Sequence, residues 1–366
     1  MSEANRLGIL GGGQLAALMC EAARDLGVHT LVVSPDPKAV ARPYCDTLIS
    51  AALDDPDALR QLAAEADVVT VDHEHVPLPA LQELEAHVVL HPGLAIMRQI
   101  SDRLLQRQLL SRLDLPQTRY WSVDSDAALQ AAQREGVFPA VLKTRRGGYD
   151  GLGQQRVASA AELPAAWETL KRRASVLEAW LTDVSEFSLV GARGADGEVR
   201  IYPPIENHHQ QGQLRTSSLP CAIGETPRQA GEAAWRAITA ELAHVGVLTV
   251  EFFVNDQGHI WINEIAPRVH NSGHLTQFAY ACSQFELHVR AVTGRILPAL
   301  GQGRSAVMLN LYPEHGITDA AAAERLAAGV GGQLIWYDKT PRPRRKMGHW
   351  LLPPEKAAAA RAAIEG

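Results

Sequence analysis

From Leu7 to His91, short apolar or β-branched runs at Leu7–Leu10, Thr30–Val33, Val68–Val71 and His87–Leu90 alternate with helical stretches such as Leu15–Leu26 and Pro56–Ala66. That rhythm predicts βαβ units and a parallel sheet. A helix opened by a Ser101 cap, SDRLLQRQLLSRL, then leads through Leu115-Pro116 into a region of different character, so a boundary falls near residue 97. Between about 137 and 296, strands are expected at Pro139–Thr144, Gln154–Val157, Val176–Ala179, Glu186–Ala192, Val199–Tyr202, Val247–Val254 and Ile260–Ile265. They outnumber the helices at 161–173, 228–244 and 274–292 and predict an α+β region. Another break falls at Gly301-Gln302-Gly303, after which the chain is Ala-rich at 319–328 and 356–363. The expected division is 1–97, 98–300 with a lid at about 120–185, and 301–366.

With 366 residues, 46% hydrophobic and 21% charged, the chain is long and apolar enough for two or three globular cores. A net charge of -6 supplies no overall positive field, which argues against a nucleic-acid partner and leaves a small anionic substrate open. Cys20, Cys45, Cys221 and Cys282 form no CxxC pair, so neither a zinc knuckle nor a redox motif is signalled and a reducing cytoplasm is expected. No window approaches about 18 uninterrupted apolar residues, so no membrane span is expected.

Gly11-Gly12-Gly13-Gln14-Leu15-Ala16 follows a strand and opens a helix, so its N–H groups and the helix dipole can receive a phosphate. The same spacing fits GxGxxA with Asp36 as a ribose-binding acid, so a nicotinamide dehydrogenase and a plain tight turn both stay open. In VLKTRRGGYDGLGQ, residues 141–154, a strand delivers Lys143 and a turn with four glycines returns into another strand. A Walker A loop would enter a helix; strand–loop–strand is instead the geometry of a lid over phosphates. A long hairpin with solvated arginines is the alternative.

Thr249–Val254, the turn Asn255–Gly258 and His259–Ile265 read as an antiparallel pair. Pairing Val254 with His259 sets Glu251 opposite Ile262, with Glu264 its diagonal neighbour on the same face, about 7–8 Å away between backbones. Two such carboxylates can close around a hard cation that carries substrate phosphates. A surface salt-bridged pair is less suited, because Glu251 interrupts an apolar strand. The loop Ala266–His274 follows, where Arg268 and Asn271 can hold an anion such as bicarbonate or an acyl phosphate, with His270 placed for proton work. His270 and His274 at i and i+4 could bind zinc, but no HExxH accompanies them. The pairs His73/His75 and His208/His209 read as facing solvent or core. Lys339–Lys346 holds five basic residues in eight, suited to nucleic acid or, in an acidic chain, to a substrate phosphate.

Taken together, GILGGGQLA, KTRRGGYDGLGQ, LEAWLTDVSEFSLVGAR, NEIAPRVHNSGH and YDKTPRPRRKMGH resemble the successive motifs of the N5-carboxyaminoimidazole ribonucleotide synthetase family, ATP-grasp enzymes of purine biosynthesis. The resemblance covers nearly the whole chain and is most specific at APRVHNSGH with Asn263-Glu264 before it. It implies a Rossmann-like N-terminal domain, a central ATP-grasp fold and a small C-terminal domain, assembled as a homodimer. The implied reaction uses ATP to turn bicarbonate into carboxyphosphate, which yields carbon dioxide to the 5-amine of aminoimidazole ribonucleotide. Arg103, Lys143, Gly148, Gly151, Gln154, Glu178, Glu186 and Asn263 would contact ATP, and Glu251 and Glu264 would hold magnesium, two ions in all. Gly13, Gln14, Glu74, Tyr149, Asp150, Lys339, Arg345 and Lys346 would recognise the ribonucleotide, the last basic ones taking its phosphate. Arg268, His270 and Asn271, with Lys339, would form the bicarbonate and transfer site. The chain departs from the family at Leu152, usually lysine or arginine; at Asp72, often glutamate; and at Arg344, usually glycine. A formate-using transformylase and a non-catalytic nucleotide-binding regulator are the remaining rivals.

Overall fold

The computed structural model describes residues 3–148 and 152–365, so Tyr149, Asp150 and Gly151 lie outside the described residues. Three sheets organise the described chain. The first contains β1 (Arg6–Leu10), β2 (His29–Ser34), β3 (Thr47–Ser50), β4 (Val68–Val71) and β5 (Val89–Leu90), all parallel, in the order β3-β2-β1-β4-β5. Helices such as Gln14–Asp25 and Pro56–Glu65 connect these strands. The second helix starts cleanly because Asp55 accepts from the Asp57 and Ala58 N–H groups and Pro56 occupies the first turn. β3, unforeseen in the sequence, is a half-exposed edge strand without a clear apolar face. The strand expected at His87–Leu90 is shortened, since the His87 and Val88 N–H groups close the preceding helix on the Leu84 carbonyl.

The second sheet is antiparallel, with β6 (Tyr120–Val123), β7 (Ala140–Thr144), β8 (Gln154–Val157) and β9 (Ser175–Ala179) in the order β6-β9-β7-β8. It encloses a separate core of Val123, Leu142, Val157, Leu177 and Trp167. The helix leading to it, Arg103–Arg112, is capped by Asp102 and not Ser101; the carboxylate accepts from the Leu104 and Leu105 N–H groups. A charged acceptor suits the positive helix end better than a hydroxyl.

The third sheet holds nine strands: β10 (Val184–Arg193), β11 (Val199–Ile201), β12 (Ile205–Gln210), β13 (Gln213–Leu219), β14 (Gly246–Asn255), β15 (Ile260–Ala266), β16 (Ala306–Leu311), β17 (Gln333–Trp336) and β18 (Gly348–Leu352). Its order is β15-β14-β10-β12-β13-β16-β18-β17, with β11 beside β10. The C-terminal strands thus extend the central sheet through the β13–β16 pairing. One face carries Phe187, Leu189, Val250 and Phe252 against Trp235 of the helix Glu225–Glu241, with Phe187 and Phe252 stacked at 4.8 Å. Burial of each ring contributes about 1.5–3 kcal/mol. The other face packs Val190, Ala192 and Val247 on Phe285 and Val289 of the helix Gln284–Val292, then turns polar at Ser188 and Glu251. The helix expected over 274–292 is three pieces, Asn271–Leu275, Thr276–Ala279 and Gln284–Val292, because the chain becomes extended at Tyr280 and restarts on a Ser283 cap.

Candidate active site

β14 and β15 pair Val254 with Ile260, Phe253 with Trp261 and Phe252 with Ile262; the register then shifts by one, and Glu251 stands directly opposite Glu264. This corrects the expected register. The Asn255 side chain accepts from the Gln257 and His259 N–H groups at 3.1 and 2.9 Å, which draws His259 into the turn and moves the return strand by one residue. A bulge at Asn263 then restores both acids to one face. Arg107 holds that bulge, donating to the Ile262 carbonyl at 2.7 Å and the Asn263 carbonyl at 2.8 Å.

Burial pushes the Glu251 carboxyl up to about 7, and the nearby Glu264 and Glu186 add to it against His209 and Arg268. Facing carboxylates that repel each other fit a hard divalent cation, and magnesium takes one or two protein carboxylates with its other positions on water and phosphate. Among the described residues no group of three or more His, Cys, Asp or Glu is arranged to hold an ion. The His270/His274 pair considered for zinc is divided, with Nδ1 of His270 on Ser272 and Nδ1 of His274 on Gln284.

On the second sheet, Lys143 reaches Glu178 at 2.8 Å, and Arg107 donates to the same carboxylate at 2.9 Å. Burial alone would raise the Glu178 carboxyl, but the two cations outweigh it and hold it below the usual range. Arg103 lies 3.7 Å from Glu264 and donates to the Gly148 carbonyl at 3.2 Å, so it ties the glycine loop to the acid hairpin. A Cβ on Gly148 would sit 2.9 Å from the Leu152 carbonyl oxygen. Gln154 pairs with Lys143 at the start of β8. The loop arginines are tied back to the protein: Arg145 and the half-exposed Arg146 meet Asp102 at 2.7 and 3.3 Å.

Of the readings open for the first glycine loop, the tight turn fits this geometry. Gly13 donates its N–H to Asp72 at 2.7 Å, so a buried carboxylate from the end of β4 sits at the helix terminus that could receive a phosphate. At Gly11, φ is +105° and a Cβ would lie 1.7 Å from Asp72 Oδ1, so only glycine fits. Asp36 accepts from the Lys38 N–H in a surface turn. Gln14 instead meets the tail, accepting from Lys339 Nζ. Lys339 also reaches the carbonyl of the buried Lys346, and Arg345 donates to the Thr340 carbonyl at 3.0 Å.

Arg268 donates to Glu74 across the chain, with side chains only 15% and 14% exposed. Burial raises the Glu74 carboxyl and Arg268 more than reverses it, so the acid stays charged. His73 and His75 flank the acids Asp72 and Glu74 at 3.6 and 3.9 Å. His209, expected to face solvent or core, meets Glu186 through Nδ1 on the acidic side of the sheet. His270 Nε2 lies 3.7 Å from Glu251, and burial lowers this imidazole to about 3. Asn271 Oδ1 is buried with no hydrogen-bond partner among the described residues, an acceptor suited to a ligand donor. Arg107, Ser188, Asn207 and Gln284 escaped the sequence reading. Only Arg107 left a signal, a charge three residues before the buried Leu110 on the helix's apolar stripe.

Residues 108–285 match the ATP-grasp domain family, 4–101 the ribonucleotide synthetase preATP-grasp domain and 306–363 the phosphoribosylaminoimidazole carboxylase C-terminal domain. The protein is therefore an enzyme of the ATP-grasp ligase class, with an N-terminal α/β preATP-grasp domain, a central ATP-grasp domain and a small C-terminal domain. It is 37% identical to the N5-carboxyaminoimidazole ribonucleotide synthases of Synechococcus elongatus, over 96% of this chain and 90% of that one, and of Pseudomonas aeruginosa, over 95% and 94%. The chain belongs to the N5-carboxyaminoimidazole ribonucleotide synthase family. Among solved structures, an ADP complex of such a synthetase superposes with a TM-score of 0.92 at 33% identity, covering 100% of this chain and 97% of that one. The Aspergillus clavatus enzyme in complex with ADP and 5-aminoimidazole ribonucleotide gives 0.88 at 28% identity, covering 100% and 98%.

Proposed function

We propose that this protein carboxylates the 5-amine of 5-aminoimidazole ribonucleotide with bicarbonate at the expense of ATP, giving N5-carboxyaminoimidazole ribonucleotide, ADP and phosphate. The observation that carries the reading is the approach of His270, on the Arg268–Asn271 loop, to within 3.7 Å of Glu251, which itself faces Glu264. Phosphoryl chemistry and anion capture thus share one site.

Lys143, Arg103, Gly148, Gly151, Gln154, Glu178, Glu186 and Asn263 surround the nucleotide in this reading. Magnesium held by Glu251 and Glu264 would screen the charge of the transferring phosphoryl group. Arg268 and Asn271 orient bicarbonate, whose oxygen attacks the γ-phosphorus as the bond to ADP breaks. Carboxyphosphate then parts into carbon dioxide and phosphate, and the amine adds to carbon dioxide and releases a proton. Closure of the lid, about 120–185, would keep water from carboxyphosphate, and Tyr149 and Asp150 are assigned to the ribonucleotide. Glu74, Gly13 and Gln14 complete the ribonucleotide site, and Lys339, Arg345 and Lys346 take its phosphate. The close contact of Lys339 with Gln14 supports that grouping, because it brings the basic tail to the first glycine loop.

We also propose a homodimer working in the cytoplasm. The four unpaired cysteines agree with a reducing compartment, and no helix among the described residues is long and apolar enough to cross a membrane. The deciding experiment measures ADP release with aminoimidazole ribonucleotide and bicarbonate, each omitted in turn, and with formate replacing bicarbonate. Release that needs both, with N5-carboxyaminoimidazole ribonucleotide formed, supports the reading; formate-dependent release overturns it.

A further inference from the structure

The two nitrogens of His270 have different neighbours. Nδ1 lies 3.3 Å from the Ser272 backbone N–H, which can only donate, and 2.9 Å from the Ser272 hydroxyl. Nδ1 is therefore an acceptor, and the neutral ring carries its proton on Nε2, the nitrogen facing Glu251.

Behind Ser272 runs a buried line of polar groups. Ser188 Oγ donates to Ser272 Oγ at 2.8 Å, Asn207 Nδ2 donates to Ser188 Oγ at 3.1 Å, and Ser217 Oγ donates to Asn207 Oδ1 at 2.8 Å. A hydroxyl has one proton to give. Because the Asn207 NH2 occupies Ser188 as a donor, the Ser188 proton goes to Ser272 and the Ser272 proton to His270. The backbone N–H at Ser272 enforces the same sense from the other end. Ser188, Ser217 and Ser272 are fully buried and Asn207 is 6% exposed, so water does not compete for these bonds. The backbone is held as well: Gln284 accepts from the His270 N–H at 2.9 Å and donates to its carbonyl at 2.7 Å.

We propose that Asn207, Ser188 and Ser272 are positioning residues that hold His270 as its Nε2–H tautomer, so that it presents a hydrogen-bond donor, not a base, to the carboxylate oxygens of the transferring group. This deepens the proposed function and rests on its placement of His270 at the transfer site.

The test uses the whole protein labelled with nitrogen-15 in histidine, and His270→Asn identifies the His270 signals. Two-bond proton–nitrogen correlations in the substrate-free protein should show a protonated Nε2 and an unprotonated Nδ1. Asn207→Asp cannot donate to Ser188 and should raise the Nδ1–H tautomer while lowering product formed per ADP about three- to tenfold, the worth of one net hydrogen bond. Ser272→Ala should lower that ratio too and Ser272→Thr restore it, which serves if Asn207→Asp does not fold. A wild-type spectrum with Nδ1 protonated overturns the proposal, as does Asn207→Asp or Ser272→Ala with tautomer and ratio both unchanged. If the tautomer is as expected but His270→Asn leaves the ratio unchanged, the transfer-site reading has failed and the role falls with it.

Discussion

Arg107 and Glu178, 71 residues apart, meet at 2.9 Å with side chains each 4% exposed. The remaining guanidinium nitrogens are spent on the bulged strand β15, so one side chain joins the helix Arg103–Arg112 to both antiparallel sheets. Arg107→Met fills the volume but strands a buried carboxylate and two carbonyls. Breaking a buried pair from one side costs about 3–5 kcal/mol, and Lys143, still on Glu178, should keep the loss near the lower figure. Urea denaturation should show it, and Arg107→Lys should not restore stability, because an ammonium cannot span three acceptors as the planar fork does. An unmoved urea midpoint would count against this account.

Glu264→Gln keeps the shape of the cross-strand pair and removes one of its two charges. Divalent-ion affinity should fall and ADP release drop by about a thousandfold, the scale of several kcal/mol of phosphoryl charge stabilisation. The fold should survive, since the substitution also relieves repulsion on Glu251. Circular dichroism and coupled ADP assays would check this together; full activity in a folded variant would remove the acid from the metal role.

His288 predicts a loss of stability in acid. The ring is fully buried, accepts from the Val247 N–H through Nδ1 at 3.0 Å and so donates from Nε2 to Thr70 on β4 at 2.9 Å. Burial lowers its pKa from 6.5 to about 3, with His244 and His91 adding to it. Below pH 6.5 the unfolded chain takes up a proton that the folded chain refuses until about pH 3. The contribution is thus whole above 6.5 and drains by about 1.4 kcal/mol per pH unit as acid is added. In His288→Gln the slope of unfolding free energy between about pH 6 and 4 should flatten by that amount. An equal slope in both proteins would mean the ring is already protonated in the native state.

The strands β1, β2 and β4 were legible because burial on both faces selects near-continuous apolar runs. β12 and β13 were not, since Asn207 and Ser217 are buried in hydrogen bonds, Thr216 is buried beside them, and IENHHQ and QLRTSSL are left without apolar alternation. Likewise Glu251 and Lys143 stood out as charges inside apolar strands, whereas the register joining Glu251 to Glu264 depends on the Asn255 side chain and on Arg107, which approaches from elsewhere in the chain. Local pattern carries element identity. Partners supplied from another element decide register, and a single-residue pattern does not encode them.

Leu152 is 48% exposed at the end of the second glycine loop, two residues before the Gln154 that pairs with Lys143. A cation there would add attraction to nucleotide phosphates without touching the acids or the His270 loop. An exposed ion pair is worth about 0.2–1 kcal/mol, so Leu152→Lys should lower KM for ATP by up to about fivefold and leave kcat near its starting value. Salt should erase the gain, because the Debye length shrinks from about 10 Å at 0.1 M to about 3 Å at 1 M ionic strength. Leu152→Gln separates charge from the loss of an exposed apolar side chain. Steady-state ATP titrations of the three proteins at low and high salt would decide: a KM lowered equally by glutamine, or unchanged by lysine, would mean that this position does not face the phosphates.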